Sequence, residues 1–307
     1  MDMRRIGSLE VSVVGLGCNN FGRRLDSSAT LAVVDAALDA GINFFDTADV
    51  YGSTKSEEFL GRALGHRRDE VVLATKFGAQ VDEQRKGAKP EYVGQAVEDS
   101  LRRLRTDRID LYQLHRPDPD VPIEDTLGAL DELVRAGKVR EIGCSNFSAE
   151  QLRAAEKATR DGGARFVSVQ NEYSVLHREP ERDVLPECER QGLAFIPYFP
   201  LVSGLLTGKY RQGQPAPEGS RLQSGRGDSL LTDRNLAVVE ELIEFSESRG
   251  HTILELAFSW LLTRPTVVSV IAGATSSEQA RSNAAAAGWR LTDTELAEID
   301  SIVSCPH

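Results

Sequence analysis

Short apolar runs alternate with amphipathic segments along almost the whole chain, and this alternation constrains the fold more than any other feature. The predicted strands are residues 13–17, 43–46, 71–76, 110–115, 139–145, 166–170, 194–198 and 267–271. The predicted helices between and after them are residues 28–40, 55–64, 90–104, 123–136, 149–159, 183–191 and 276–287. Continuous apolar runs are typical of parallel strands that are buried on both faces. Eight such units favour an α/β fold, the closed (β/α)8 TIM barrel, with an open doubly wound sheet as the alternative.

Three segments fall outside the repeat. Residues 4–11 predict an N-terminal β-hairpin that plugs the barrel bottom, with its turn at Gly7 and Ser8. After the seventh strand comes a long loop, residues 203–231, and loops of that length are usually functional. Extra helices are predicted before the eighth strand and at the C-terminus, over residues 233–249, 254–263 and 292–303. No linker or internal repeat is visible, so a single domain over residues 1–307 is expected.

Composition excludes several classes of function. The net charge of −11 argues against a nucleic-acid partner, which would need a basic face. No apolar run approaches the roughly 20 residues that a membrane span needs, and no signal peptide is visible at the N-terminus. The four cysteines form no C-x-x-C pair, which is typical of free thiols in a reducing compartment. A cytoplasmic protein is therefore expected.

Four polar residues stand at or just beyond the ends of three consecutive predicted strands: Asp46, Tyr51, Lys76 and His115. The carboxyl ends of parallel barrel strands meet at one mouth, where the chemistry of such barrels is found. Each residue alone has a structural explanation, because Asp46 and Lys76 could simply pair across the barrel. His115 alone could cap a loop, and Tyr51 could be a turn aromatic. Their joint occurrence favours a catalytic set.

This set suits the protonation of a carbonyl oxygen. A tyrosine hydroxyl has a pKa near 10, and a neighbouring ammonium group lowers that pKa by stabilising the phenolate. Asp46 would keep Lys76 charged and fixed, and a neutral His115 would donate a hydrogen bond to the substrate oxygen. No side chain supplies hydride, so reduction of the carbonyl carbon requires a nicotinamide cofactor.

These residues resemble the catalytic tetrad of the aldo-keto reductase family. The matching motifs are Asp-Thr-Ala-x-x-Tyr-Gly at residues 46–52, Thr75-Lys76 and Leu114-His115, and the likeness covers almost the whole chain. The loop after the seventh predicted strand looks closest to the potassium-channel β-subunit-like branch. The resemblance implies NADPH-dependent reduction of an aldehyde or ketone to an alcohol, with Asp46, Tyr51, Lys76 and His115 as the catalytic residues.

The resemblance also implies a cofactor site that runs along the barrel mouth. The positions matched near the nicotinamide are Gly17, Cys18, Asn19, Asp46, Ser145, Asn146, Gln170 and Tyr198. Those matched to the loop that clasps the pyrophosphate are Phe199, Pro200, Leu201, Ser203, Gly204, Lys209, Ser220 and Arg221. Those matched to the adenosine-phosphate site are Gly273, Thr275, Gln279 and Asn283. Gly273-Ala274 and Gln279 replace cations that other members place around the 2′-phosphate. NADPH is therefore expected, and NADH is possible.

The substrate residues are open to two interpretations. Phe21 and Phe77 either line the substrate pocket, which we favour, or pack against the barrel rim. Tyr51 and His115 would contact the substrate oxygen. Arg116 either binds an acidic substrate or forms a salt bridge with Asp118 or Asp120, and we favour the salt bridge. The partner is a small-molecule carbonyl compound whose identity the sequence does not give, and neither does it give the oligomeric state.

Two other functions compete with carbonyl reduction. A redox-sensing subunit would bind NADPH tightly and dock on a partner protein with slow, incidental turnover. An intact tetrad argues for turnover instead. A metal-dependent barrel hydrolase would need several ligands at strand ends. The chain has five histidines, of which only His115 follows a predicted strand, so no metal site is expected.

Overall fold

A two-stranded antiparallel hairpin opens the chain and covers the N-terminal end of a barrel. The computed structural model describes residues 1–223 and 227–305. The hairpin consists of β1 (Met3–Ile6) and β2 (Leu9–Ser12). Gly7 supplies the positive φ of the turn, at 55°, and the Ser8 amide donates to the Glu141 carboxylate over 2.7 Å. Ile6 is fully buried in an apolar cluster with the first residues of the barrel strands, which confirms the predicted plug.

Eight parallel strands form the barrel. They are β3 (Val14–Gly17), β4 (Phe44–Asp46), β5 (Val72–Phe77), β6 (Ile109–Leu114), β7 (Val139–Ser145), β8 (Phe166–Glu172), β9 (Ala194–Tyr198) and β10 (Val270–Gly273). Strands β3 to β9 pair in sequence order, and β10 pairs with β3. Phe195 of β9 joins the two ends of the sheet, because its amide donates to Thr266 over 2.7 Å and its carbonyl accepts from Val268 over 3.1 Å. The sheet is therefore closed, as predicted.

The last strand begins three residues later than the sequence suggested. The predicted segment was 267–271, whereas the strand that pairs with β3 is Val270–Gly273. The apolar run has two successive partners, because residues 266–268 bond to Phe195 before the chain reaches β3. An apolar pattern alone does not separate these two pairings. The correction places Gly273 on the strand end at the barrel mouth.

Helices surround the barrel, mostly one after each strand. They are α1 (Ser27–Asp39), α2 (Lys55–Leu64), α3 (Pro90–Leu104), α4 (Ile123–Arg135), α5 (Ala149–Ala158), α6 (Val184–Gln191), α7 (Gly227–Leu230), α8 (Asp233–Glu247), α9 (Ile253–Leu262), α10 (Ser277–Ala285) and α11 (Asp293–Ser304). Capping boxes fix the starts of α5, α9 and α11, where a Ser or Thr and a Glu or Gln three residues later bond each other's backbone amides. Among the described residues, no helix is long and apolar enough to cross a membrane.

The long segment after β9 folds back over the barrel mouth. It forms two 3-10 turns, Val202–Thr207 and Arg221–Gln223, and residues 224–226 of the predicted loop lie outside the described residues. Tyr210 is buried, and its hydroxyl accepts a hydrogen bond from the Leu222 amide over 3.1 Å. Arg24, from the loop after β3, donates to the Gly219 carbonyl over 2.8 Å. This segment is therefore tied to the loop after β3, two strands further around the mouth.

Candidate active site

A cavity of about 1090 Å³ opens at the carboxyl end of the barrel strands. The residues predicted for the site that lie on its wall are Gly17, Cys18, Asn19, Asp46, Tyr51, His115, Ser145, Asn146, Gln170, Tyr198, Phe199, Pro200, Leu201, Ser203, Gly204, Lys209, Arg221, Gly273, Thr275, Gln279 and Asn283. These residues come from the loops of seven different strands, so only the closed barrel brings them together. Lys76 is fully buried behind the wall.

The floor of the cavity holds a buried ion pair. Lys76 Nζ lies 2.5 Å from Asp46 Oδ1 and donates a second hydrogen bond to the Thr47 carbonyl over 2.9 Å. The other carboxylate oxygen, Oδ2, accepts hydrogen bonds from Gln113 Nε2 over 3.1 Å and from Gln170 Nε2 over 2.9 Å. Buried charges persist when they are paired and hydrogen-bonded in this way. Burial alone would lower the pKa of Lys76, but Asp46 and Tyr51 outweigh burial and raise it, so the ammonium stays charged.

Tyr51 lies between Lys76 and His115. The ammonium nitrogen of Lys76 is 5.2 Å from the centroid of the tyrosine ring, and the His115 ring meets that ring edge-on at 5.8 Å. Burial raises the pKa of the Tyr51 hydroxyl, while the Lys76 charge and contact lower it and Asp46 raises it. The net direction is upward, which corrects the expectation of a lowered pKa. Lys76 acts in the expected sense, but the cost of burying a phenolate is larger.

His115 is held neutral. Burial lowers its pKa to about 3, and the positive charges of Lys76 and Arg116 act in the same direction. The imidazole is therefore uncharged at neutral pH, as the sequence predicted. Its Nδ1 atom is buried and has no hydrogen-bond partner within the described part of the chain. A neutral imidazole on the wall, next to a tyrosine hydroxyl, can donate a hydrogen bond to a substrate oxygen.

A network of amides and hydroxyls forms the neighbouring wall. Ser145 Oγ donates to the Gln170 carbonyl over 2.7 Å, and Asn146 Nδ2 donates to the His115 carbonyl over 3.0 Å. The Tyr198 hydroxyl in turn donates to Asn146 Oδ1 over 2.8 Å. Asn146 has a φ of 62°, in the left-handed region, so its side chain is held at the rim by a strained backbone. These residues are those that the resemblance assigns to the nicotinamide end of a cofactor.

The other end of the cavity is suited to anions. Lys209 and Arg221 lie on its wall, and α10 begins beside it with Ser276 capping the Gln279 amide over 3.2 Å. The N-terminus of a helix favours negative charge. Gln279 Oε1 accepts hydrogen bonds from the amide and the hydroxyl of Thr275, at 2.8 and 3.0 Å. The side-chain nitrogen of Gln279, Nε2, forms no hydrogen bond within the described part of the chain and could donate one to a ligand.

Two predicted substrate residues do not reach the cavity. Phe21 and Phe77 are both fully buried in the hydrophobic core and are absent from its wall. The Phe77 ring stacks on Tyr112, with the centroids 4.7 Å apart. Their assignment to the substrate pocket was therefore wrong, because each side chain turns inward where the strand end suggested a rim position. Ser220 also lies off the wall, so its role at a phosphate stays a prediction.

The predicted salt bridge of Arg116 is also absent. Arg116 is exposed on the cavity wall and has no ion pair within 4.0 Å among residues 1–223 and 227–305. Asp118 instead accepts the backbone amides of Ala88 over 2.8 Å and of Asp120 over 3.0 Å. The carboxylate binds one amide of its own loop and one of the loop after β5, and the guanidinium is left facing the cavity mouth.

Sequence reasoning missed two residues that shape the site. Gln113 bonds Asp46 and lies on β6, two residues before His115, which directly follows that strand. Period-two alternation could therefore have identified Gln113. Asn20 links the loops after the paired strands β3 and β10, because its Nδ2 donates to the Ala274 carbonyl over 3.2 Å. That contact spans more than 250 residues, and no local pattern predicts it.

Comparison with known proteins agrees with this geometry. The model of the aldo/keto reductase family matches residues 13–304. Aldo-keto reductase YhdN of Bacillus subtilis (strain 168) is 34% identical over 96% of this chain and 91% of its own length. The uncharacterized oxidoreductase YqkF of the same strain is 33% identical over 98% of this chain and 96% of its own.

A solved structure shows the same architecture. The glycerol dehydrogenase AKR11B4 from Gluconobacter oxydans superposes with a TM-score of 0.87 at 32% identity, covering 99% of this chain and 95% of that one. The likeness extends over the whole barrel. The assignment to the potassium-channel β-subunit-like branch stays a prediction. This chain is an oxidoreductase that belongs to the aldo/keto reductase family.

Proposed function

We propose that this protein reduces an aldehyde or ketone to an alcohol with NADPH, and that Tyr51 supplies the proton. The observation that carries the proposal is the convergence of Tyr51 and His115 on one cavity wall, directly above the buried Lys76–Asp46 pair. The parts needed to protonate a carbonyl oxygen are thereby held in one place. A redox-sensing subunit would need the nucleotide site but not this donor set.

Each residue has a distinct role in the reaction. When bound, the dihydronicotinamide supplies the hydride that the carbonyl carbon receives. The Tyr51 hydroxyl gives its proton to the carbonyl oxygen, and the Lys76 ammonium stabilises the phenolate that remains. Neutral His115 orients the oxygen through a hydrogen bond. Asp46 keeps Lys76 in position, and Gln113 and Gln170 keep Asp46 in position.

The wall fits a nicotinamide dinucleotide along its length. The amide and hydroxyl groups of Ser145, Asn146 and Gln170 match a carboxamide, and the Tyr198 ring offers a stacking surface. At the far end, Lys209 and Arg221 supply positive charge for phosphates. Asn19 Oδ1 is buried with no partner among the described residues, as expected of an acceptor that waits for a ligand. NADPH remains ahead of NADH because the family branch that the loop resembles uses it.

The same site would run in either direction. A protein with the same fold and 32% identity is described as a glycerol dehydrogenase, and the reverse of carbonyl reduction is the oxidation of an alcohol.

We place the protein in the cytoplasm, since Cys18, Cys144 and Cys188 are buried free thiols and Cys305 is free on the surface.

The test begins with nucleotide binding and proceeds to turnover. Quenching of intrinsic fluorescence by NADPH and by NADH gives the two affinities. Aldehydes and ketones are then followed at the nicotinamide absorbance, with the alcohol quantified against the NADPH consumed. One alcohol formed per NADPH is expected. Tight NADPH binding with no turnover of any carbonyl compound would favour the redox-sensing subunit instead.

A further inference from the structure

Arg116 is a cation beside His115 on the wall of the cavity. It follows His115 directly, lies on the cavity wall and has no ion pair among the described residues. Its charge is close enough to His115 to lower the pKa of that imidazole. An exposed guanidinium at this position is ready to bind an anion, since its planar donors match a carboxylate in a bidentate geometry.

The described residues on the wall of the cavity carry a net positive charge, although the whole chain has a net charge of −11. Its cations are Arg23, Arg24, Arg116, Lys209 and Arg221, and its carboxylates are Asp46 and Glu172. Asp46 is already paired with Lys76. A cleft lined by one sign of charge concentrates ligands of the opposite sign. Lys209 and Arg221 lie at the proposed phosphate end, and Arg23 and Arg24 belong to the loop after β3, where Arg24 is bonded to Gly219. Among these five cations, Arg116 is the one that adjoins His115 in the chain.

A second cavity of about 550 Å³ adjoins the first, and Arg116 and Asn146 lie on the walls of both. Its apolar wall includes Leu114, Pro117, Val121, Ile123 and Phe147. The guanidinium therefore stands where an apolar slot meets the catalytic cavity. A substrate with an apolar body and an acidic group would find both complements there.

We infer that Arg116 determines substrate specificity by binding a carboxylate of the substrate, and that the enzyme favours carbonyl compounds that carry a carboxylate on an apolar body. The inference rests on the proposed reduction of carbonyl compounds and names a substrate class for the same site. Arg116 takes no part in the transfer of hydride or proton. It binds the substrate and holds the carbonyl group near Tyr51.

The test compares two aldehydes that differ in charge but hardly in size: 4-carboxybenzaldehyde and its methyl ester. Each is reduced by the wild type, Arg116→Ala, Arg116→Lys and the control Arg5→Ala. Arg5 is exposed on the hairpin at the other end of the barrel. Its replacement by Ala therefore changes the net charge as much as Arg116→Ala does, but far from the cavity. The readout is the ratio of kcat/KM for the acid to kcat/KM for the ester, because any effect on His115 acts on both substrates.

We expect Arg116→Ala to lower this ratio by about tenfold or more, mainly through KM for the acid, as for the loss of a charge-assisted hydrogen bond. Arg116→Lys should retain part of the preference, and Arg5→Ala should leave the ratio unchanged. High salt should reduce the preference of the wild type through screening. If the wild type reduces both aldehydes and Arg116→Ala leaves the ratio unchanged, the inference about Arg116 is wrong, but the proposed carbonyl reduction stands. Absence of NADPH-dependent reduction with either aldehyde and with the wider carbonyl panel would overturn the proposed function itself.

Discussion

Lys76 Nζ and Asp46 Oδ1 lie 2.5 Å apart, and the two side chains are 0% and 3% exposed. Each charge is thus withdrawn from water and compensated mainly by the other. Lys76→Met should destabilise the fold by about 3–5 kcal/mol, because it leaves the Asp46 carboxylate buried and unpaired. In an Asp46→Asn background the same substitution should cost much less, since no charge is stranded.

Urea unfolding of both single variants and of the double variant measures this coupling. Arg62→Met is the control, because it breaks an exposed pair with Glu58 at 3.8 Å and should change the free energy of unfolding only slightly. If Lys76→Met lowered the free energy of unfolding equally in the wild type and in Asp46→Asn, the two residues would not be coupled as their geometry indicates.

Tyr51→Phe removes the proposed proton donor and keeps the ring. NADPH affinity should stay near that of the wild type, whereas kcat should fall by about 10²–10⁴, the usual contribution of general acid catalysis. Fluorescence titration and steady-state rates separate the two effects. Near-normal turnover by this variant would show that another group protonates the carbonyl oxygen.

Asp49 is a second buried carboxyl group near the site, and it is expected to make stability depend on pH. It is 2% exposed, and neither oxygen has a hydrogen-bond partner among side chains in the described residues. Its pKa is raised from 3.8 to about 7, mainly by burial and also by the charge of Glu57, while Arg103, the Val50 amide and Lys76 act in the opposite direction. Between pH 3.8 and about pH 7, the Asp49 carboxyl group is ionised in the unfolded chain but keeps its proton in the folded protein. The free energy of unfolding therefore falls as pH rises through this window.

Asp49→Asn abolishes this ionisation with little change in shape. Relative to the wild type, the variant should gain about 2–3 kcal/mol of stability between pH 5 and pH 8. Urea unfolding at several pH values gives the difference. A constant difference across this range would mean that Asp49 ionises in the folded protein as it does in water.

Gln279 provides a matched test of the adenosine end. Gln279→Glu keeps an acceptor for the Thr275 amide but places a negative charge beside the proposed 2′-phosphate. We expect it to weaken NADPH binding more than NADH binding. Gln279→Arg should tighten NADPH with little effect on NADH, and the gain should diminish at high salt.

Both nucleotides are titrated against each variant by fluorescence. Equal changes for NADPH and NADH would place Gln279 away from the 2′ position. The alignment of residues 273–283 with the phosphate site would then be wrong.

The barrel and the convergence of the four polar residues were predictable because both follow from local patterns. Apolar runs define the strands, and parallel strand ends place Asp46, Lys76 and His115 at one mouth. Most predicted helix boundaries lie within two residues of those in the structure, because capping residues such as Ser148 can be recognised from the local sequence. These features depend on neighbours along the chain.

Features that depend on distant partners were not predictable. Whether Arg116 pairs with Asp118 is decided by the Ala88 amide, which occupies that carboxylate. Phe77 turns inward because Tyr112, on the next strand, offers a stacking surface. The net pKa of Tyr51 depends on how deeply the folded chain buries it, and motif spacing does not give that depth.

The join between β9 and β10 has a mechanical consequence. Phe195 of β9 bonds Thr266 and Val268, which precede β10, whereas β4 and β5 share a continuous register across Phe44–Asp46. The segment that covers the phosphate end leaves and re-enters the barrel at this seam. Amide exchange should therefore be faster at Phe195 than at Val72, whose amide donates to the Asn43 carbonyl just before β4 over 2.7 Å, and equal protection would exclude a weak seam. A weak seam would let the segment after β9 loosen while the wall that carries Tyr51 and His115 keeps its shape.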